Sequence, residues 1–207
     1  MASAQVTKRG NAYLFRTKYT KGQVITYVMN MKSSARGQAI NVTMPMTQKV
    51  VSVTKSGVAT VSVSMGKLLM NGKPIGTGTP ATAQKMTFEA DSEGHVKGGG
   101  QQNTTISLPA KPIPVGGTWT ATTNAPTGMG QAMQVTATYK LIGFERKDGF
   151  QTAKVSVTMS GSGQMAISGS GTMWLNMADG SMVRDTMKMS MSMGSMQMPM
   201  DISITRK

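Results

Sequence analysis

The sequence predicts an all-β protein: one large curved antiparallel sheet, or an open half-barrel, built from two β-meander repeats with a C-terminal hairpin added. Three observations predict it. Apolar and polar residues alternate along most of the 207-residue chain, and a sustained 3.6-residue period is absent. Compact turn signals separate the alternating runs. Finally, a stretch of the second half repeats one of the first.

Taken in order, residues 1–19 form an N-terminal segment and first strand, with Ala12–Tyr19 alternating through Tyr13, Phe15 and Tyr19. Residues 20–97 hold the first repeat. Val24–Met31 and Ala39–Met46 read as strands, and Lys49–Thr54 and Val58–Met65 flank a hairpin turn at Lys55-Ser56-Gly57. Lys67–Met70 and Lys73–Gly76 flank Asn71-Gly72, the strongest short hairpin signal. Lys85–Ala90 and His95–Lys97 flank an acidic turn at 91–94. Residues 98–117 read as a connection: Gly98–Asn103 is flexible, Leu108–Pro114 is stiff with proline, and Gly116-Gly117 ends it.

Residues 118–183 hold the second repeat. Val58–Met65 matches Thr152–Met159, each after a Lys-x-Gly turn and each preceded by an apolar run, Val50–Val53 or Leu141–Phe144. Phe88–Val96 parallels Trp174–Met182. Residues 184–207 form the hairpin. With Gly194-Ser195 as a Gly-x turn, Met193 lies opposite Met196, Met191 opposite Met198, Met189 opposite Met200, and Met187 opposite Ile202. Every apolar residue then shares one face, and a one-residue slip would undo this. Pro199, which lacks an N–H, argues that Met196–Thr205 is an edge strand, at least near the proline. All five segments are expected to form one domain.

Composition bounds the function. The net charge is +14, and residues 1–88 carry Lys and Arg but no acid. Such a surface favours anionic partners, with Arg16, Lys18 and Lys21 the densest group and the expected rim for anionic headgroups. No cysteine is present, which excludes disulfides, thiolate metal sites and a cysteine nucleophile. His95, the only histidine, follows a turn, and the acids read mostly as turn residues, so no triad, carboxylate pair or metal-spaced cluster can be drawn. The chain is expected not to be an enzyme and to need no cofactor. The Gly-Ser alternations at 161–163 and 169–171 lack the Lys of a phosphate loop. Only Tyr13–Tyr19 interleaves aromatics with cations, too little for a base-stacking platform, so no specific nucleic acid is expected.

Methionine is the anomaly: 22 residues, many in Met-x-Met pairs. In a strand, residues i and i+2 share a face. Met29, Met31, Met44, Met46, Met187, Met189, Met191, Met193, Met196, Met198 and Met200 therefore form an apolar face. The plain reading is core, because methionine fills irregular gaps. Methionine is nonetheless a weaker strand former than Val or Ile, so its repeated use points to a face that repacks around a lipid or other apolar ligand. A second reading is Cu(I) or Ag(I) held by the thioethers of Met191, Met193 and Met198. A third is a surface protein that self-associates through the edge strand Met196–Thr205.

Met1-Ala2-Ser3-Ala4-Gln5 carries the small-x-small pattern of a signal-peptidase site, with cleavage expected after Ala4. Phe15–Tyr27 and Leu108–Trp119 resemble segments of a bacterial exported, lipoprotein-type envelope family of unknown function, which usually has an acid where Gly117 stands. Tyr139–Phe144 with Gly149, and the methionine-rich tail, are similar too. The resemblance covers most of the chain and implies export to the periplasm, cell surface or exterior of a bacterium. It also implies a half-barrel like that of lipoprotein carriers, and supplies no catalytic residue.

Overall fold

The computed structural model describes residues 6–35, 38–75, 85–97, 107–126, 132–163, 165–193 and 196–207. The expected signal-peptidase site, Gly98–Asn103 and the Gly194-Ser195 turn lie outside them. The strands are β1 (Val6–Arg9), β2 (Ala12–Phe15), β3 (Val24–Ala35), β4 (Gln38–Val53), β5 (Ala59–Met65), β6 (Leu69–Met70), β7 (Lys73–Pro74) and β8 (Lys85–Ala90). They continue as β9 (Val96–Lys97), β10 (Ile113–Pro114), β11 (Thr118–Pro126), β12 (Ala132–Lys147), β13 (Phe150–Ser162), β14 (Ala166–Asn176), β15 (Met182–Met193) and β16 (Met196–Arg206). No helix occurs among the described residues.

Thirteen strands form one antiparallel sheet, in the order β11-β12-β13-β14-β15-β16-β3-β4-β5-β8-β9, with β6 and β7 beside β4. It is open, not closed into a barrel. Val63 on β5 and Val157 on β13, far apart in strand order, line one cavity, so the sheet curls back on itself. The remaining strands form a small sheet, β1-β2-β10. Its Val6, Phe15 and Ile113, with Leu108, pack on Leu141, Ala153, Val155 and Leu175 of the large sheet.

Local chemistry explains the elements. Asn71 and Gly72 both adopt positive φ, as the two-residue turn joining Met70 to Lys73 requires. Asp148 and Gly149 do the same between Lys147 and Phe150. The C-terminal hairpin has the register the alternation demands, from Met193↔Met196 to Met187↔Ile202.

Four expectations change. The first strand stops at Phe15 and does not run to Tyr19, because Thr17 N–H donates to the Ser92 carbonyl and Lys18 N–H to the Asp179 carbonyl. The tail of the 98–117 connection is structural: β10 pairs with β2, and Leu108 is buried. Met196–Thr205 is an edge strand only at its start, near Pro199: among the described residues Met196–Pro199 have no strand partner on the side away from β15. β16 pairs with β3 from Met200↔Ser33 to Arg206↔Tyr27, so Pro199 sits just beyond that pairing, where its missing N–H interrupts nothing. Among the described residues the sheet ends instead on β11 and β9.

The fourth change concerns the repeat's alignment. β4 and β12 bulge at matching places: Val50↔Val61 is followed by Ser52↔Thr60, and Leu141↔Val155 by Gly143↔Lys154. The extra residues, Val51 and Ile142, are both exposed. In that frame Phe88, opposite Val61, corresponds to Met173, opposite Val155, and not to Trp174. The turn from Asn176 to Gly180 is one residue longer than that from Asp91 to Gly94, which displaces the strand before it.

Candidate functional site

The concave face does not pack into one core. Among the described residues most buried apolar side chains fall into three clusters: Leu141, Val155, Leu175 and their neighbours under the small sheet; Val50, Val61, Val63 and Phe88; and Ile25, Tyr27 and Met46. A domain of this size usually has one contiguous core. Between the clusters lies a cavity of about 390 Å³, within the range of small-molecule sites.

Its walls come from both halves of the sheet. Met29 on β3 and Met44 and Met46 on β4 face Met159 on β13, Met173 on β14 and Met187 on β15, with Met65 and Met182 completing the thioether lining. Four of the eleven predicted methionines are therefore here: Met29, Met44, Met46 and Met187. Met31, Met189, Met191, Met198 and Met200 are not on the cavity. Met200 is buried, whereas Met198 is 43% exposed, so the methionine face opens to solvent towards the hairpin tip. Met193 and Met196 pair through their backbones, and their side chains lie outside the described residues. Of the soft-metal trio, Met191 and Met198 are direct cross-strand neighbours.

One end of the cavity is bordered by residues 16–23, whose Thr17 and Lys18 bond to the turns at Ser92 and Asp179. Arg16 fastens this strap. Its guanidinium donates to the carbonyls of Phe15, Pro109 and Ala110 and pairs with Glu93 at 2.9 Å. Arg16 is thus a clasp, and the expected cationic rim reduces to Lys18 and Lys21, both exposed. Lys18 stands on the cavity lip. Gln23 Nε2 donates to Asp179, and Gly22 and Val50 exchange backbone bonds with Val50 and Gln23 respectively. Gly180 is required beneath the strap: its φ is positive, and a Cβ there would collide with the Arg16 carbonyl oxygen.

The polar lining is what sequence reasoning missed. Asp185 on β15 lies opposite Met173 and Ile204 and faces the cavity. Its Oδ1 is buried without a hydrogen-bond partner among the described residues. Burial pushes its carboxyl up to about 6, against a partly offsetting backbone bond with Thr186. Tyr19, Tyr27 and Tyr139 also line the space, and burial raises each phenol, that of Tyr19 to about 12, so all three stay neutral. The charge of Asp185 adds to the rise at Tyr139. The signal for Asp185 was present in the alternation: it precedes Met187 by two residues, which puts it on the methionine face.

His95 pairs with Asp91 on an exposed turn. Trp174 donates to Glu145 beneath Lys147 and Lys154. Trp119 stacks on Tyr139 and donates to the Ser107 carbonyl. Phe15, central to the one aromatic and basic segment, is 1% exposed and offers no stacking surface.

No protein-family model matches the chain. No curated protein matches it either. Among solved structures, it is similar to a Bacteroides fragilis protein with a YmcC-like fold, itself only inferred to be exported. The two are 12% identical, with 93% of this chain and 99% of that chain covered and a TM-score of 0.40. At that score the likeness carries no argument about function or compartment.

Proposed function

We propose that the protein is an exported, non-catalytic binding or carrier module that holds a lipid or other apolar molecule in the cavity of its curled sheet. The observation behind this is the cavity of about 390 Å³ that splits the core into three clusters. It has space for on the order of a dozen water-sized groups, roughly a medium acyl chain. Its wall is rich in thioethers, which are polarizable, unbranched and able to repack around varied shapes. Lys18 on the lip, and a net charge of +14, suit delivery to or from an anionic surface. Export is supported by the small-x-small N-terminus and by the envelope-family resemblance.

Native mass spectrometry of the protein as purified tests this reading. An adduct of lipid mass, recovered in an organic extract, is expected. A chain at its bare mass that also fails to take up added decanol would contradict it. A soft-metal reading is favoured only by the Met191/Met198 pairing. It requires a stoichiometric Cu(I) adduct that vanishes when Met191 and Met198 are replaced by Leu.

A further inference from the structure

We infer that the cavity recognises an amphiphile bearing a protonated amine, with Asp185 as the group that receives it. The inference rests on the carrier reading and deepens it by naming the ligand's head. Among the described lining residues only Lys18 and Asp185 carry charge, and they are placed differently: Lys18 is exposed on the lip, whereas Asp185 lies within the strand wall beside Met173 and Met187. The Asp185 carboxyl meets one backbone N–H, from Thr186, and its Oδ1 meets no donor among the described residues. Among the described residues no salt bridge reaches it, although the chain holds 22 Lys and Arg, and neighbouring Arg184 pairs outward with Asp148.

A half-buried carboxylate with a single donor is costly to keep charged, and a cation that enters beside it lowers that cost. A fatty acid would do the opposite, placing a second carboxylate against the first. A neutral alcohol could donate one hydrogen bond but would leave the charge unmatched. The thioethers around Asp185 then cover the chain of the amphiphile, while its ammonium group meets the Asp185 carboxyl. Preference for an amine cannot come from the protein's overall field, because a chain of net charge +14 repels cations and attracts anions.

The test is calorimetric titration of the full chain with decylamine, decanol and decanoate, each below its micellar concentration, at pH 7.5. Decylamine is expected to bind about tenfold or more tighter than decanoate, with decanol between them. In Asp185→Asn, and in Asp185→Ser should the first variant fold poorly, decylamine and decanoate should come within about threefold of each other while decanol affinity holds. Equal or tighter binding of decanoate by the native protein would overturn the inference, as would an amine preference that survives both variants. Binding of decanol and decanoate without an amine preference would sink this inference and leave the carrier reading standing. Binding of none of the three would sink both.

Discussion

Asp185 and the glycines of β14 show how single residues shape the concave face. Gly171 lies opposite Met187 and Gly169 opposite Met189. A Cβ at Gly171 would collide with the Thr186 carbonyl oxygen and press on the Met187 sulfur, and one at Gly169 would come within 2.9 Å of Met189 Cγ. The Gly-Ser alternation thus sets glycine opposite Met187 and Met189 and serine on the other face. Gly171→Ala should cost about 1–3 kcal/mol, read from urea unfolding, because the added methyl overpacks the wall. At Asp185 the effect depends on pH. Its folded-state value, about 6, exceeds that of an unfolded chain, so the native state binds the extra proton and stability falls as pH rises from about 4 to about 6. Asp185→Asn should therefore gain up to ~3 kcal/mol at pH 8, and nothing from this cause near pH 4, in parallel urea titrations. A gain of the same size at both pH values would show that the carboxyl is not under burial strain.

Among the elements, the hairpins were the most legible in the sequence. Asn71-Gly72 and Asp148-Gly149 each dictate a backbone that few other dipeptides adopt. The register of β15 and β16 follows from the single rule that methionines must share a face. Long-range partners were not legible. Pro199 correctly marks a place without a donor, but nothing local reveals that β3 pairs with the same strand one residue later. Nor does alternation at Ala12–Tyr19 reveal that the backbone leaves the sheet after Phe15 to bridge the turns at Ser92 and Asp179. The matched bulges at Val51 and Ile142 became visible only through pairing, and duplication of one hairpin would produce that coincidence. The strap gives an element-scale prediction. Arg16→Ala leaves the carboxylate of Glu93 and two distant carbonyls without their partner, and should cost about 2 kcal/mol. Hydrogen exchange should quicken at Thr17 and Lys18 before it does at β13. Uniform protection along 16–23 in this variant would show that the strap holds by other contacts.

For the whole molecule, the sequence shows an apolar face without showing how much of it is covered. The small sheet of β1, β2 and β10 covers one part, side chains fill the region around Phe88, and a space is left among Met44, Met46, Met173 and Met187. Methionine periodicity places these residues on one face, but only the curl decides which of them line the cavity. Met29, Met44, Met46 and Met187 line it, while Met31, Met189, Met191, Met198 and Met200 lie beyond. Methionine methyl NMR with added decanol tests this directly, because the chain carries 22 such reporters, inside and outside the cavity. Saturable shifts are expected at Met44, Met46, Met173 and Met187, with Met70 and Met198 unmoved. Shifts confined to the exposed Met70 and Met198, or no saturable shift anywhere, would contradict it.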